Sequence, residues 1–267
     1  MIERLRFGPE DIYSGVAAKP ARAPASLPGV IVIQEAWGVD AHIEDLVHRI
    51  AHGGYFALAP DWFSRRGVRP PALTAERLAE AKALFDELPG PVLVDPARRK
   101  EALTQKPEPL ATRLEETIST IFQRGTQFEQ NLEALLAGVR YLREVRPETR
   151  GQRLASVGFC MGGALSARLA SVDTQLAGAV VFYGIAPPGA TFHCPILGLY
   201  GATDARVNGT LETFAADMAR SAQPLRRHEY AGAGHAFFND TRGSYDVAAA
   251  RDANLRLFEF LRERLGS

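Results

Sequence analysis

The chain has 267 residues, 46% of them hydrophobic, which is enough for one large α/β domain or two small ones with a substantial core. Its 31 lysines and arginines balance its 31 aspartates and glutamates, so net charge favours neither a nucleic acid nor a membrane surface nor a polyanionic partner. We therefore expect the partner to be a small molecule.

The first residues, MIERLRFGPEDIYSG, lack the apolar centre of a signal peptide, and no stretch approaches the roughly 18 apolar residues that a membrane helix needs. The chain has two cysteines, Cys160 and Cys194, and so few in a chain of this size favour free thiols over a disulfide. These features predict a cytoplasmic protein with reduced cysteines.

Strand-like and helix-like runs alternate along most of the chain. The β-branched run PGVIVIQEA, at 28–36, is typical of a strand buried on both faces, and DAHIEDLVHRIAHGG, at 40–54, has helical spacing with a Gly-Gly stop. The stretch YFALAPDWF, at 55–63, indicates the next strand. Further strands are predicted at 153–159, 177–183, 195–200 and 225–230, and further helices at 74–88, 127–145, 161–172, 207–221 and 245–265.

This alternation predicts a single α/β domain over residues 1–267, with a mostly parallel sheet, helices on both faces, and ligands at the carboxyl ends of the strands. The segment 88–125 breaks the alternation because it is rich in proline and charge, although it contains a short apolar run and one helix. We interpret it as an insertion. Two roles stay open for it, a solvated surface excursion and a cap over the site.

The stretch SVGFCMGGAL, at 156–165, has the form G-x-C-x-G at Gly158, Cys160 and Gly162. This form is typical of a nucleophile elbow with sulfur in place of the usual serine oxygen, in which the tight strand-to-helix turn requires small flanking residues. The helix N-terminus that follows would favour a thiolate and hold a developing oxyanion. The alternative is a buried structural cysteine at a close strand–helix crossing.

Two further residues complete a catalytic pattern. Asp204 comes just past the end of the strand in LGLYGATDARV, and His235 lies in the glycine-rich loop of RRHEYAGAGHAFF, after another strand. Taken alone, each is an ordinary turn or loop residue. The order nucleophile, acid, histidine, with each residue at the carboxyl end of a strand, predicts a triad of Cys160, Asp204 and His235.

Several stretches together resemble the dienelactone hydrolase family over most of the chain apart from 88–125. These stretches are IQEAWG at 33–38, APDWFSRR at 59–66, VGFCMGGAL at 157–165, YGATDARV at 200–207 and AGAGHAFF at 231–238. The resemblance implies an α/β-hydrolase fold, a triad of Cys160, Asp204 and His235, and no cofactor or metal. It also implies that Glu35 matches the family glutamate that contacts the resting thiol.

The resemblance assigns the remaining site residues as well. It places the oxyanion hole at the backbone amides of Ala36 and Met161 and makes Trp37 a wall of the pocket, although an isolated tryptophan is equally a core residue. Arg65 matches the family arginine that binds the substrate carboxylate, a task that suits its fork of donors. Arg66 is the nearby alternative, and either arginine is also an ordinary surface residue of a proline-rich loop.

Two positions depart from the family pattern. Ala236 stands where the family has a serine directly after the histidine, and Asn239 stands where it has a second arginine that binds the anion. One of the two family arginines that bind the substrate carboxylate is therefore absent. This departure and the insertion indicate a related ester or lactone rather than dienelactone itself.

Three functional hypotheses follow. The first is a cysteine-dependent hydrolase of an ester or lactone that forms a thioester, with a general carboxylesterase that lacks carboxylate preference as its variant. The second is a thiol redox protein in which Cys194 resolves an oxidised Cys160, although no C-x-x-C motif is present. The third is a metal site on the helix at 40–54, where Glu44, His48 and His52 share a face.

A non-catalytic binding module with a decayed hydrolase fold is a further alternative, against which an intact triad argues. The sequence leaves open a monomer or a small homo-oligomer.

Overall fold

The computed structural model describes residues 2–88 and 90–266, which form one sheet surrounded by helices. The strands are β1 (Glu3–Phe7), β2 (Tyr13–Ala18), β3 (Gly29–Ile33), β4 (Phe56–Pro60), β5 (Leu154–Phe159), β6 (Gly178–Phe182), β7 (Ile196–Gly201) and β8 (Leu225–Tyr230). Their order across the sheet is β1-β2-β4-β3-β5-β6-β7-β8. The strands from β3 to β8 pair in parallel, and β1 and β2 add an antiparallel edge that the sequence reading did not predict.

Helices fill most of the connections between the strands. They are α1 (Ala41–His52), α2 (Ala75–Glu87), α3 (Gly90–Val94), α4 (Pro96–Leu103), α5 (Leu110–Gly125), α6 (Phe128–Arg140), α7 (Met161–Val172), α8 (Ala205–Asn208), α9 (Leu211–Arg220) and α10 (Val247–Leu265). A π-helical turn, Tyr141–Val145, extends α6, and short 3-10 turns lie at Pro9–Asp11 and Pro71–Leu73. No helix within 2–88 or 90–266 has both the length and the apolar character to cross a membrane.

Two hydrophobic cores, one on each face of the sheet, explain why the central strands are so apolar. In β3 the side chains of Val30 and Val32 enter one core, and those of Ile31 and Ile33 enter the other, as the alternation of a strand requires. All of these side chains are completely buried. The mostly parallel sheet with helices on both faces is confirmed.

Most predicted elements match the structure within a few residues, with two exceptions. The helix predicted at 207–221 is divided into α8 and α9. The segment 88–125 contains three helices, α3, α4 and α5, where one was predicted. Arg99 ties α4 to α5 through bonds of 2.8 Å from its guanidinium to both oxygens of Glu115.

Candidate active site

The turn at Cys160 joins β5 to α7 in strained backbone geometry. Cys160 has φ 55° and ψ −114°, a conformation that side chains other than glycine rarely adopt. The flanking glycines are required by close packing, because a Cβ at Gly158 would lie 1.9 Å from the carbonyl oxygen of Gly162. The elbow geometry predicted from G-x-C-x-G is therefore present.

The three predicted triad residues come together at the carboxyl edge of the sheet. The Nε2 atom of His235 lies 3.1 Å from the sulfur of Cys160, and its Nδ1 atom lies 2.5 Å from Oδ2 of Asp204. Asp204 is the N-cap of α8 just past β7, and His235 lies in the loop after β8. Three separate loops thus form one continuous chain of hydrogen bonds.

The charge state of His235 follows from these contacts. Burial of the ring favours its neutral form, but the negative charge of Cys160 and the hydrogen bonds with Asp204 and Cys160 outweigh burial and raise the pKa of His235 to about 10. The imidazole is therefore protonated at neutral pH when the sulfur is a thiolate. Its side chain keeps 42% of its exposure, so water can reach it.

Glu35, two residues beyond β3, is buried at 3% exposure, and within the described residues its side-chain hydrogen bonds do not include the bond to the sulfur that the resemblance implied. One of its oxygens accepts a 2.9 Å bond from the hydroxyl of Tyr183, and the other accepts a 2.7 Å bond from Nδ2 of Asn239. Burial, followed by the charges of Glu35 and Cys160, raises the pKa of Tyr183, which keeps its hydroxyl a donor. The hydrogen-bond partner of the sulfur is His235 instead.

The backbone amides of Ala36 and Met161 are available for a ligand. Met161 is the first residue of α7, where an amide has no partner within the helix, and Ala36 follows Glu35 in the loop after β3. Across residues 2–88 and 90–266, neither amide donates a hydrogen bond to a protein acceptor. Free backbone amides are the donors from which an oxyanion hole is built.

Trp37 is 4% exposed and packs edge-on against Phe85 at a centroid distance of 5.1 Å. Two cations lie over its ring, Arg242 at 5.1 Å and Lys82 at 5.8 Å. Both are neutralised by acids, since Arg242 pairs with Asp86 at 2.8 Å and Lys82 pairs with Asp40 at 2.5 Å. The surroundings of Trp37 therefore combine aromatic surface with cations that are paired with acids.

The structure does not bring Arg65 to the triad. Its guanidinium lies 5.1 Å from the centre of the Tyr13 ring, and within the described residues no hydrogen bond or ion pair joins it to Cys160 or His235. Arg66 points to solvent, where it pairs with Glu10. The antiparallel bridge between Arg65 and Val68 folds this loop back on itself.

Sequence reasoning missed Tyr183 and Arg242. Tyr183 directly follows β6, so its place at the carboxyl edge of a predicted strand was a usable signal. Its hydroxyl bond to Glu35 spans 148 positions of the chain and leaves no local pattern. The contact of Arg242 with Asp86 spans 156 positions and is equally invisible in the sequence.

The redox hypothesis finds no support in the geometry. Cys160 and Cys194 are both free thiols. Cys194 lies before the first residue of β7, at the edge of the sheet opposite Cys160, and is 1% exposed. Burial, followed by the charge of Asp173, raises the pKa of the Cys194 thiol to about 12, so it stays protonated and unreactive.

The contacts of Glu44, His48 and His52 on α1 do not support the metal hypothesis. The rings of His48 and His52 lie 6.1 Å apart on α1, while Glu44 is engaged in an ion pair with Arg4. In the part of the chain that the structure describes, no group of three or more histidine, cysteine or acidic side chains is placed to hold a metal ion.

Comparison with known families decides the assignment that the geometry suggests. The model of the dienelactone hydrolase family matches residues 13–265. The chain belongs to the dienelactone hydrolase family. It is accordingly a hydrolase of ester or lactone bonds with an α/β-hydrolase fold.

Relatives and solved structures agree with this membership. Two relatives named "Putative carboxymethylenebutenolidase" are each 32% identical, one from Saccharolobus solfataricus (87% of this chain, 88% of the relative) and one from Synechocystis (90% and 87%). A provisionally assigned dienelactone hydrolase structure from Klebsiella pneumoniae is 25% identical, with a TM-score of 0.66 over 98% of both chains. A dienelactone hydrolase-like promiscuous phosphotriesterase from metagenomic libraries is 21% identical, with a TM-score of 0.68 over 100% of this chain and 99% of that one, and shares the fold.

Proposed function

We propose that this member of the dienelactone hydrolase family cleaves a carboxylic ester or lactone with Cys160 as its nucleophile. The observation that carries the proposal is the hydrogen-bond chain from Asp204 through His235 to the sulfur of Cys160. The strained elbow exposes the sulfur at the N-terminus of α7, where unpaired amides favour the thiolate.

Acylation starts with Cys160 as a thiolate and His235 as an imidazolium. The thiolate of Cys160 attacks the carbonyl carbon, and the oxygen that becomes negative accepts hydrogen bonds from the amides of Ala36 and Met161. When the intermediate collapses, the carbon–oxygen bond to the leaving group breaks, and imidazolium His235 donates its proton to the departing alkoxide. The products are a thioester on Cys160 and an alcohol, or a single tethered product when the substrate is a lactone.

In deacylation His235 acts as a base, whereas in acylation it acts as an acid. Neutral His235 takes a proton from water, the hydroxide attacks the thioester carbon, and the sulfur leaves as a thiolate that the imidazolium again stabilises. Asp204 fixes the orientation of the ring throughout. Trp37 forms one wall of the pocket. The net reaction consumes one water and releases the carboxylic acid.

The experiment is a panel of short acyl esters and lactones assayed with the wild type and with Cys160→Ala and His235→Ala. We expect each variant to lose at least about a thousandfold in kcat/KM, the scale seen when one member of such a triad is removed. Cys194→Ala is the matched control, because it removes the other free thiol from the opposite sheet edge. Full activity without Cys160 contradicts the proposal.

The thioester is tested separately by acid quenching during turnover. Mass spectrometry of the peptide that contains Cys160 should show the mass of the acyl group, and the peptide that contains Cys194 should not. Acyl mass on a different residue contradicts the covalent step, even if the enzyme hydrolyses esters.

A general carboxylesterase without carboxylate preference is the second candidate. Three observations favour it: Arg65 is directed to Tyr13, the family's second arginine is replaced by Asn239, and Arg242 is paired with Asp86. A matched pair of esters that differ only by a free carboxylate on the acyl chain, assayed with the wild type and with Arg65→Ala, separates the candidates. A preference for the anion that disappears in Arg65→Ala supports the inherited anion site.

We also propose that segment 88–125, within a single domain, contributes to the cover of the site. Gly125, at the end of α5, lies against the side chain of Met161, the residue after the nucleophile, so closely that a Cβ at Gly125 would overlap the terminal methyl.

The two free thiols support a reducing, cytoplasmic location. The balanced charge supports a small-molecule substrate rather than nucleic acid or a membrane.

A further inference from the structure

Glu35 is a buried carboxylate held only by neutral groups. The Tyr183 hydroxyl donates to one oxygen and the Asn239 amide donates to the other, and no ion pair involves Glu35 within residues 2–88 and 90–266. Asn239 is itself completely buried. Burying a carboxylate without a cation costs free energy unless its oxygens accept hydrogen bonds, so the donors from Tyr183 and Asn239 determine where the Glu35 carboxylate lies.

The orientation of the Asn239 amide is determined by its other contacts. Its Oδ1 atom accepts a 3.0 Å bond from the backbone amide of Thr241 and a 2.7 Å bond from the Thr241 hydroxyl. Because both groups are donors, the oxygen must face Thr241 and the NH2 group must face Glu35. Asn239 therefore presents a fixed donor to the carboxylate.

The sulfur of Cys160 has a different partner. Its contact is the imidazole of His235 at 3.1 Å, and no hydrogen bond joins it to Glu35 in the structure described. Other ionisable groups around this cluster are Asp204 on His235, Tyr183 on Glu35, and Arg242, whose charge reaches Tyr183. Glu35 is the buried acid that would compete with His235 as hydrogen-bond partner of the sulfur if its carboxylate turned toward Cys160.

We propose that Asn239 is a positioning residue that holds the Glu35 carboxylate off Cys160, so that His235 is the partner of the sulfur before any substrate binds. The inference rests on Cys160 being the nucleophile of the proposed function. Asn239 then influences the ionisation of Cys160 before substrate binds. It acts through Glu35 and does not contact the substrate.

The test measures the rate of Cys160 alkylation by iodoacetamide between pH 5 and pH 10 without substrate. In the wild type, alkylation should be selective for Cys160, because Cys194 is buried, and its rate at each pH is the reference for the variants. In Asn239→Ala we expect the rate at pH 6 to 7 to fall at least tenfold, with the profile displaced to higher pH. Adding Glu35→Gln to Asn239→Ala removes the competing carboxylate and should restore the rate.

Two controls separate this role from simple loss of packing. Asn131→Ala removes another buried asparagine, whose amide donates to the backbone oxygen of Arg124, and should leave the profile unchanged. Thermal unfolding of every variant identifies those that fail to fold. If Asn239→Ala destabilises the protein too far, Asn239→Leu removes the donor with an uncharged side chain of similar size and should give the same displacement.

The outcomes are distinct. A wild-type profile in a folded Asn239→Ala or Asn239→Leu protein overturns the inference and leaves the proposed function intact. A slow Asn239→Ala protein that Glu35→Gln does not rescue also overturns it, because the loss then does not act through the carboxylate. Absence of selective Cys160 alkylation in the wild type, together with undiminished ester turnover in Cys160→Ala, contradicts the proposed function itself.

Discussion

The Nε2 atom of His235 lies 3.1 Å from the sulfur of Cys160, although 75 positions of the chain separate the two residues. The sheet makes this contact possible, because β5 and β8 run in the same direction and end at the same edge. The proximity links two titrations, so that neither residue ionises independently of the other. This coupling provides the first measurable consequence of the site.

Replacing Cys160 by alanine should lower the pKa of His235. The charge of Cys160 is foremost among the influences that raise this pKa to about 10, and alanine removes both that charge and its hydrogen bond, while burial continues to favour the neutral ring. The measurement is a pH titration of the histidine ring signals by NMR. His228 is the control, because burial and the charge of Arg256 lower its pKa and neither involves Cys160. An unchanged titration of His235 would exclude the coupling.

The same shift predicts how stability depends on pH. A pKa raised from 6.5 in the unfolded chain to about 10 in the folded one means that the folded state binds the proton more tightly. The contribution of His235 is therefore complete below pH 6.5 and is lost as the pH rises through 10. Because 42% of the side chain is exposed, solvent screening limits the gain to about 1 kcal/mol or less.

Urea unfolding of the wild type and of His235→Gln at several pH values checks this expectation. The difference in free energy of unfolding between the two proteins should be largest below pH 6.5 and should narrow as the pH rises toward 10. A difference that grows with pH would show that the ring is neutral in the folded state. The glutamine keeps a polar side chain in the loop, so the comparison reports mainly on the charge.

Local patterns in the sequence predicted the parts of the molecule that local physics determines. The run GVIVI forms β3 because the side chains of its four β-branched residues each enter a core, and the glycines around Cys160 permit the close approach of β5 and α7 at the turn. The order of Cys160, Asp204 and His235 then followed from the ends of three strands. These residues were accessible to sequence reasoning because backbone position alone brings them to one edge.

The contacts of the side chains could not be predicted in the same way. Glu35 was expected to face the thiol, yet its partners are Tyr183 and Asn239, the latter 204 positions away. Arg65 was expected in the pocket, yet a local bridge turns its loop toward Tyr13. In each case several partners lie within reach of one long side chain, and tertiary packing selects among them.

Asp86 should control the response of the enzyme to anionic substrates. Its carboxylate holds the Arg242 guanidinium that lies over Trp37, so the arginine has no spare charge for a substrate anion. In Asp86→Asn we expect the ratio of kcat/KM for a carboxylated ester to that for its neutral analogue to rise about tenfold, equivalent to roughly 1.4 kcal/mol, the scale of a charge-assisted hydrogen bond.

The matched control for Asp86 is the adjacent acid on α2. Glu87→Gln also removes one negative charge, but Glu87 pairs with Lys106 and does not contact Arg242. The ratio should stay at its wild-type value in that variant. An equal rise in both variants would indicate a general effect of net charge and would contradict a specific role for Asp86.

Gly158→Ala should destabilise the protein without touching any catalytic atom. The added Cβ would lie 1.9 Å from the carbonyl oxygen of Gly162 and 2.9 Å from the amide nitrogen of Gly163, both of them backbone atoms of α7 that cannot rotate aside. Overpacking of this kind costs about 1 to 3 kcal/mol, and we expect the upper end of that range because the obstruction is main chain. The free energy of unfolding from urea denaturation measures the cost.

Gly209→Ala is the control for Gly158→Ala, because it makes the same substitution at a glycine outside the contact between β5 and α7. At Gly209 the φ angle is −60° and a new Cβ would meet its nearest neighbour, the Ala205 carbonyl oxygen, at 3.4 Å, which is an ordinary contact. We therefore expect Gly209→Ala to be neutral or to stabilise by up to about 1 kcal/mol, since alanine restricts the unfolded chain. Equal effects of the two substitutions would mean that β5 and α7 can separate, and that the position of Cys160 does not depend on their close contact.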